Sequence, residues 1–191
     1  MTPEKENIAY SVNTNVSYNA IGCVYKKVSG VLRVAKQIVT SEYIWDNIRL
    51  KGGAYGGGCG FLNGNYFYMY SYRDPNVNKS YEVFKNVGKL FIWNWYGPKH
   101  LNRFIIGAVN VEDAPLKNNR INSIVLRRHY NGVTQERLDL RREEMLSVSI
   151  NDIREVGQEL TTAMENIVMS TVSDQTSIEK SELFKNIIVV K

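Results

Sequence analysis

The feature that most constrains the fold is a pair of facing runs at residues 55–72, YGGGCGFLNGNYFYMYSY, where a glycine-rich stretch and a tyrosine-rich stretch flank Asn63-Gly64. Asn-Gly between two alternating runs is the signature of a two-residue type I′ turn, so the sequence predicts an antiparallel β-hairpin. A two-residue loop sets Phe61 opposite Tyr66, Cys59 opposite Tyr68, Gly57 opposite Tyr70 and Tyr55 opposite Tyr72. On that register the four strand tyrosines and Tyr55 share one face, while Phe67 and Met69 point the other way. Packing alone accounts for such a row, with large rings filling the space that Gly57 and Cys59 leave.

The segments around the hairpin have their own periodicities. Asn7 to Lys27 is strand-like and reads as two short strands or as one with an irregular middle. Ser29 and Gly30 open a helix on which Val31, Leu32, Ala35, Ile38, Val39, Ile44, Trp45 and Ile48 make one apolar stripe, ending at Gly52-Gly53. Asp74-Pro75 starts another helix, capped by the aspartate, with Val77, Tyr81, Phe84, Val87, Phe91 and Trp95 on its buried side. From Pro98 a series of helices follows, broken at Asp113-Ala114-Pro115, at Asn131-Gly132 and at Ser147 to Asn151, with a capping box at Ser149 and Asp152. Short strands at Ile167 to Val172 and Ile187 to Val190 bracket a last helix from Ser177 to Lys185. The expected class is α+β, a mostly antiparallel sheet with the 55–72 hairpin, covered by several helices, in one domain over residues 1–191.

Charge and composition exclude more than they identify. The 191 residues carry 24 basic and 19 acidic side chains, a net of +5, which is too modest to favour nucleic acid. The densest basic segment, Arg127 to Arg142, is interleaved with Glu136, Asp139, Glu143 and Glu144 and reads as a wet helical face laced by i,i+4 pairs. No apolar run is long enough for a membrane span and MTPEKENIAY lacks a secretory pattern, so a soluble protein in a reducing compartment is expected, with Cys23 and Cys59 as free thiols.

Few residues carry the spacing that chemistry needs. His100 and His129 begin no zinc-binding motif, and two separated cysteines add no close ligand pair, so no metal site is expected on this chain. The glycines do not form a phosphate loop either, because the required lysine is absent and the order is helix then strand rather than strand then helix. As structural glycines, Gly52 and Gly53 turn the chain and Gly56 to Gly60 admit close packing. That account leaves Arg49, Lys51 and Tyr55 unexplained.

Those three residues lie in SEYIWDNIRLKGGAYGG, which, continuing through YFYMYSYRDPN, resembles the C-terminal region of the presequence protease subgroup, which includes falcilysin, of the pitrilysin and insulinase family of zinc metallopeptidases. The motifs that carry the likeness are a helix ending Tyr-Leu-Trp-Asp, then Arg-Val-Lys-Gly-Gly-Ala-Tyr-Gly, then a strand ending Ser-Tyr-Arg-Asp-Pro-Asn. Upstream, NTNVSYNAIG is similar to the Val-Asn-Tyr-Val-Gly strand of those proteins. The likeness is specific over residues 12–85, while the later helices agree only in order and length.

The resemblance implies four similar α+β units in two halves that close around a peptide chamber, with zinc and the catalytic glutamate on the first unit. This chain then corresponds to the fourth unit and is a fragment of a longer protein. Its partners would be the N-terminal catalytic half and peptide substrates; zinc would be a cofactor of the full-length enzyme only. By motif alignment Arg49 and Tyr55 cross the chamber to complete the site, and Lys51, Gly52, Gly53, Gly56 and Gly57 bind substrate, the glycines by letting an extended peptide lie on bare backbone. Alone, the chain should be inactive. Two alternatives are a non-catalytic scaffold or peptide-binding subunit of the same fold, and an unrelated α+β module that grips a ligand with its tyrosines.

Overall fold

The computed structural model describes residues 6–25, 29–62, 65–93 and 98–190. In chain order it runs β1 (Ile8–Ser11), β2 (Ser17–Val24), α1 (Gly30–Ile38) continuing as a π-helical segment (Val39–Leu50), β3 (Gly56–Leu62) and β4 (Tyr66–Asp74). Then come α2 (Asn78–Lys85), α3 (Val87–Trp93), α4 (Pro98–Glu112), α5 (Asn118–Tyr130), α6 (Gln135–Leu146), α7 (Ile150–Ala163), β5 (Ile167–Ser173), α8 (Gln175–Ser181) and β6 (Asn186–Val189). The strands make one six-stranded sheet in the order β3-β4-β2-β5-β1-β6. Neighbours are antiparallel from β3 through β5, and β1 is parallel to both β5 and β6. This is the mostly antiparallel α+β arrangement that the alternation of the sequence predicts.

Local chemistry opens four of the helices. The Ser29 hydroxyl accepts from the Leu32 amide, Thr134 from Arg137, and Asp174 from Ser177, each satisfying an amide that has no partner inside its helix. The box at Ser149 and Asp152 is complete, the Ser149 amide donating to the Asp152 carboxylate at 2.8 Å and the Asp152 amide to the Ser149 hydroxyl at 3.3 Å. Elsewhere the boundaries differ from expectation. The second helix starts at Asn78, because Asp74 is spent as the last residue of β4 and accepts from the Asn76 amide instead of capping. The last helix ends at Ser181, where Glu182 turns left-handed at φ 56°, rather than running on to Lys185. Trp95, expected on the buried side, lies outside the described residues.

The core sits between one face of the sheet and the helices. Ile21, Cys23, Cys59, Phe61, Phe67 and Met69 face inward from β2, β3 and β4, and they meet Leu32, Ile38, Ile44, Ile48 and Phe84. Tyr25, Phe61 and Phe67 pack their rings in tilted pairs at 4.8–6.4 Å. Each large apolar side chain so buried contributes on the order of 1.5–3 kcal/mol. The basic segment is not uniformly wet as expected. Arg141 is buried and donates to Glu112 of α4 at 2.9 Å, and Arg142 pairs with Asp113, so these charges tie α6 to the end of α4.

The hairpin register differs by one residue from the expected one. Leu62 faces Tyr66, Phe61 faces Phe67, Cys59 faces Met69, and Gly60, Gly58 and Gly56 face Tyr68, Tyr70 and Tyr72. A one-residue slip exchanges the two faces of a strand. The observed register gives the core Cys59 and Phe61 together with Phe67 and Met69, whereas the expected one would have turned the two pairs to opposite sides. Three residues now separate the paired ends, and the third, Asn65, is left-handed at φ 62°. Asn63 and Gly64, and with them the predicted type I′ turn, lie outside the described residues.

Candidate functional site

The segment before the glycines is wound more loosely than an α-helix. The Lys51 amide bonds to the Asp46 carbonyl, five residues back, at 2.9 Å. The change of winding from α1 splits the predicted stripe: Ile44 and Ile48 stay buried against β3, while Trp45 is left 47% exposed. Arg49, four residues on, is also exposed and lays its guanidinium 4.2 Å from the centre of the Trp45 ring. An exposed cation–π contact is worth only about 0.5–1 kcal/mol, but it gives a long side chain a preferred direction. Lys51 is exposed and paired with Asp46 at 2.6 Å, a contact of little consequence for stability.

A pinned turn joins this segment to β3. The Gly53 and Ala54 amides donate to the carbonyls of Arg49 and Ile48, at 3.0 and 3.1 Å. Gly53 adopts φ 79°, which a side chain would resist. The Gly52 carbonyl accepts from the Asn76 side chain at 2.6 Å. Asn76 belongs to a buried polar cluster. Asp74, fully buried, accepts from Asn19 (3.2 Å), from the Asn76 amide (2.8 Å) and from Ser80 (2.6 Å); Asn19 also holds Ser71 and Thr171. A buried carboxylate with three donors costs several kcal/mol to disturb, so this cluster fixes both ends of the hairpin.

On the open face of the sheet the tyrosines lie flat across the opposite glycines. A Cβ built on Gly56 would come within 2.6 Å of the Tyr72 hydroxyl, on Gly58 within 2.8 Å of that of Tyr70, and on Gly60 within 2.6 Å of the Tyr68 ring. The rings stack along the strand at 6.2 and 6.3 Å. Tyr66, Tyr70 and Tyr72 are exposed, together with Tyr18, Val24 and Leu62 of the same face. Desolvation and the neighbouring tyrosines raise the pKa of Tyr70, keeping it a neutral donor. Gly56, Gly58 and Gly60 are therefore roofed by phenols, while Gly53 stays exposed. Gly56 is buried under Tyr72, and Gly57 backs onto Ile44 and Ile48.

Tyr55 stands at the end of this row. It is 61% exposed, its ring lies 5.6 Å from that of Tyr72, and its amide donates to the Arg73 carbonyl at 3.2 Å. Arg49 and Tyr55 thus both reach solvent from anchored backbone. Two shallow grooves beside the π-helical segment take in Trp45, Asp46, Lys51 and Gly52 but not Tyr55. Among the described residues no three His, Cys, Asp or Glu side chains come together to hold a metal ion. None of the helices searched, those of the described residues, is long and apolar enough to cross a membrane. Arg73 was not singled out from the sequence; its signal, legible only in coordinates, is a positive φ of 47° at a non-glycine residue.

Comparison with known proteins gives this geometry a context. Residues 7–175 match the family described as PreP C-terminal domain. Presequence protease 1, chloroplastic/mitochondrial, of Arabidopsis thaliana is 30% identical over 190 residues, covering 94% of this chain and 18% of that protein. Protein HypA of Clostridium perfringens is 29% identical over 188 residues (96% and 19%), and the mitochondrial presequence protease of Kluyveromyces lactis 37% over 132 (67% and 13%). The chain spans less than a fifth of these relatives' length. Among solved structures, the peptidase M16 inactive domain from Pseudomonas fluorescens superposes with a TM-score of 0.67 at 11% identity, over 90% of this chain and 44% of that one. Pitrilysin gives 0.60 at 13% identity, over 98% and 22%. At such identities the structural likeness speaks for the fold alone.

Proposed function

Since the chain belongs to the PreP C-terminal domain family, we propose that it is the last of four similar units in a longer peptidase and supplies one wall of the chamber in which that enzyme degrades peptides. On this reading the wall is the open sheet face, and the catalytic half is the N-terminal part of the same protein. Zinc, which the family resemblance implies for that half, would supply the metal chemistry there. What this chain contributes is hydrogen bonding and charge.

Peptide hydrolysis builds negative charge on the scissile carbonyl oxygen as the carbon becomes tetrahedral. A donor fixed where that charge develops stabilises the transition state more than the bound peptide. The Tyr55 phenol O–H is suited to donate to that oxygen. The Arg49 guanidinium, always protonated and forked, is suited to hold a neighbouring backbone carbonyl by two parallel bonds. Lys51, Gly52 and Gly53 lie between the pair and belong to the same substrate contact, and Gly56 and Gly57 contribute by seating Tyr72 and the π-helical segment closely.

The observation that carries this reading is that Arg49 and Tyr55 are both exposed, on either side of a turn pinned by Gly53 and Asn76, instead of being absorbed into the core. The test is Tyr55→Phe in the full-length protein. Loss of one preorganised donor costs about 3 kcal/mol, so turnover should fall by about a hundredfold while metal content and circular dichroism stay unchanged. An unchanged turnover number would reject the role and favour the alternative, a scaffold or peptide-binding subunit of the same fold.

A further inference from the structure

Tyr55 faces Arg73 in the ladder, since its amide bonds to the Arg73 carbonyl, and in a regular pleat a residue in that position points away from the Gly56–Tyr72 side of the sheet. Its ring nevertheless touches that of Tyr72. The irregularity responsible is on β4. Between the pairs Ser17–Asp74 and Asn19–Ser71 the β4 strand holds one residue more than β2, a bulge, and Arg73 within it has φ 47°. Bulges re-aim side chains, and a left-handed arginine carries backbone strain that a glycine would not. Asp74, locked by Asn19, Asn76 and Ser80, holds the bulge in place from the next position. The arginine guanidinium then lies 5.6 Å from the centre of the Tyr55 ring.

We propose that Arg73 is a positioning residue for Tyr55: the bulge turns the tyrosine onto the open face, and the guanidinium against its ring holds the phenol in the orientation that donates to substrate. This deepens the role given to Tyr55 above and rests on it. A left-handed site accepts glycine more readily than arginine, so what the arginine adds at this position is its contact with the Tyr55 ring.

Three substitutions in the full-length protein test this. Arg73→Gly keeps the left-handed backbone without strain and removes the guanidinium. It is expected to lower kcat by about tenfold, with KM changed less than about twofold and the melting temperature equal or higher. Arg73→Lys, which keeps a cation, should recover most of the lost kcat. The double variant Arg73→Gly with Tyr55→Phe should be no slower than Tyr55→Phe alone, because a residue acting through the phenol has nothing to act on once the hydroxyl is gone. Full activity of Arg73→Gly, or losses that multiply in the double variant, overturns the inference and leaves the role of Tyr55 intact; normal turnover of Tyr55→Phe overturns both.

Discussion

The β3–β4 hairpin and helix α5 both present apolar side chains to solvent, and they are held very differently. On α5 no residue is buried, Tyr130 is 82% exposed, and Lys117 at its N-terminus makes no side-chain cap. The hairpin tyrosines are seated on glycines, stacked on one another, and carried by a strand bonded on both sides. Exposure is common to the two regions; preorganisation is not. A phenol on the hairpin has surrendered its freedom before any ligand arrives, which is what a group that must stabilise a transition state requires.

The contrast can be broken most forcefully at Asp74. Asp74→Ala removes the acceptor of three donors, two of them on the buried Asn19 and Ser80, and should destabilise the protein by about 3–4 kcal/mol, read as a lowered denaturation midpoint at unchanged slope in urea. A loss under about 1 kcal/mol would mean that the hairpin is not anchored there.

Next in size is a comparison of adjacent glycines. A Cβ on Gly57 meets the Tyr70 carbonyl at 2.6 Å, backbone that cannot step aside, whereas one on Gly58 meets only the far end of the Tyr70 ring. Gly57→Ala should cost about 3 kcal/mol and Gly58→Ala about 1 kcal/mol, with near-ultraviolet circular dichroism reporting displaced tyrosines in the second. Equal costs would contradict the observed register.

Solution pH reads the core beneath. Burial raises both thiols, Cys23 and Cys59, from 9.0 to about 11. For an acid whose folded pKa is raised, the stabilisation is complete below the unfolded value and is lost as pH climbs through the folded one. Stability should therefore be flat up to about pH 9 and fall towards pH 11, and both thiols should resist alkylation at pH 8 in the native state. Rapid labelling of either would show the sheet opening locally. The smallest effect belongs to α5, where Val125→Ser should change stability by less than about 0.5 kcal/mol by thermal melting. A larger loss would give that helix a packing role that its burial does not suggest.

How far the site was legible depends on the range of each interaction. The residues around the turn, Arg49 through Gly57, stand out in the sequence because glycines in such density beside a charged pair have few explanations. The helix caps at Ser29 and Ser149 were legible for the same reason, being contacts between residues three apart. Arg73 was not, since its importance lies in a bulge created by β2 pairing from more than fifty residues away. Arg141 likewise reads as a surface charge until α4 delivers Glu112 to it.

The sequence by itself determined the kinds of element, because periodicity, capping and turn chemistry act over a few residues, while the family and the two side chains proposed to meet substrate followed from a resemblance of motifs. Tertiary structure alone decided the hairpin's register, the loosened winding that exposes Trp45 beneath Arg49, and the left-handed arginine under Tyr55. Each of those is a compromise between local preference and the demand of a shared core, which needed Cys59, Phe61, Phe67 and Met69 on one side of the sheet and so turned every other residue outward.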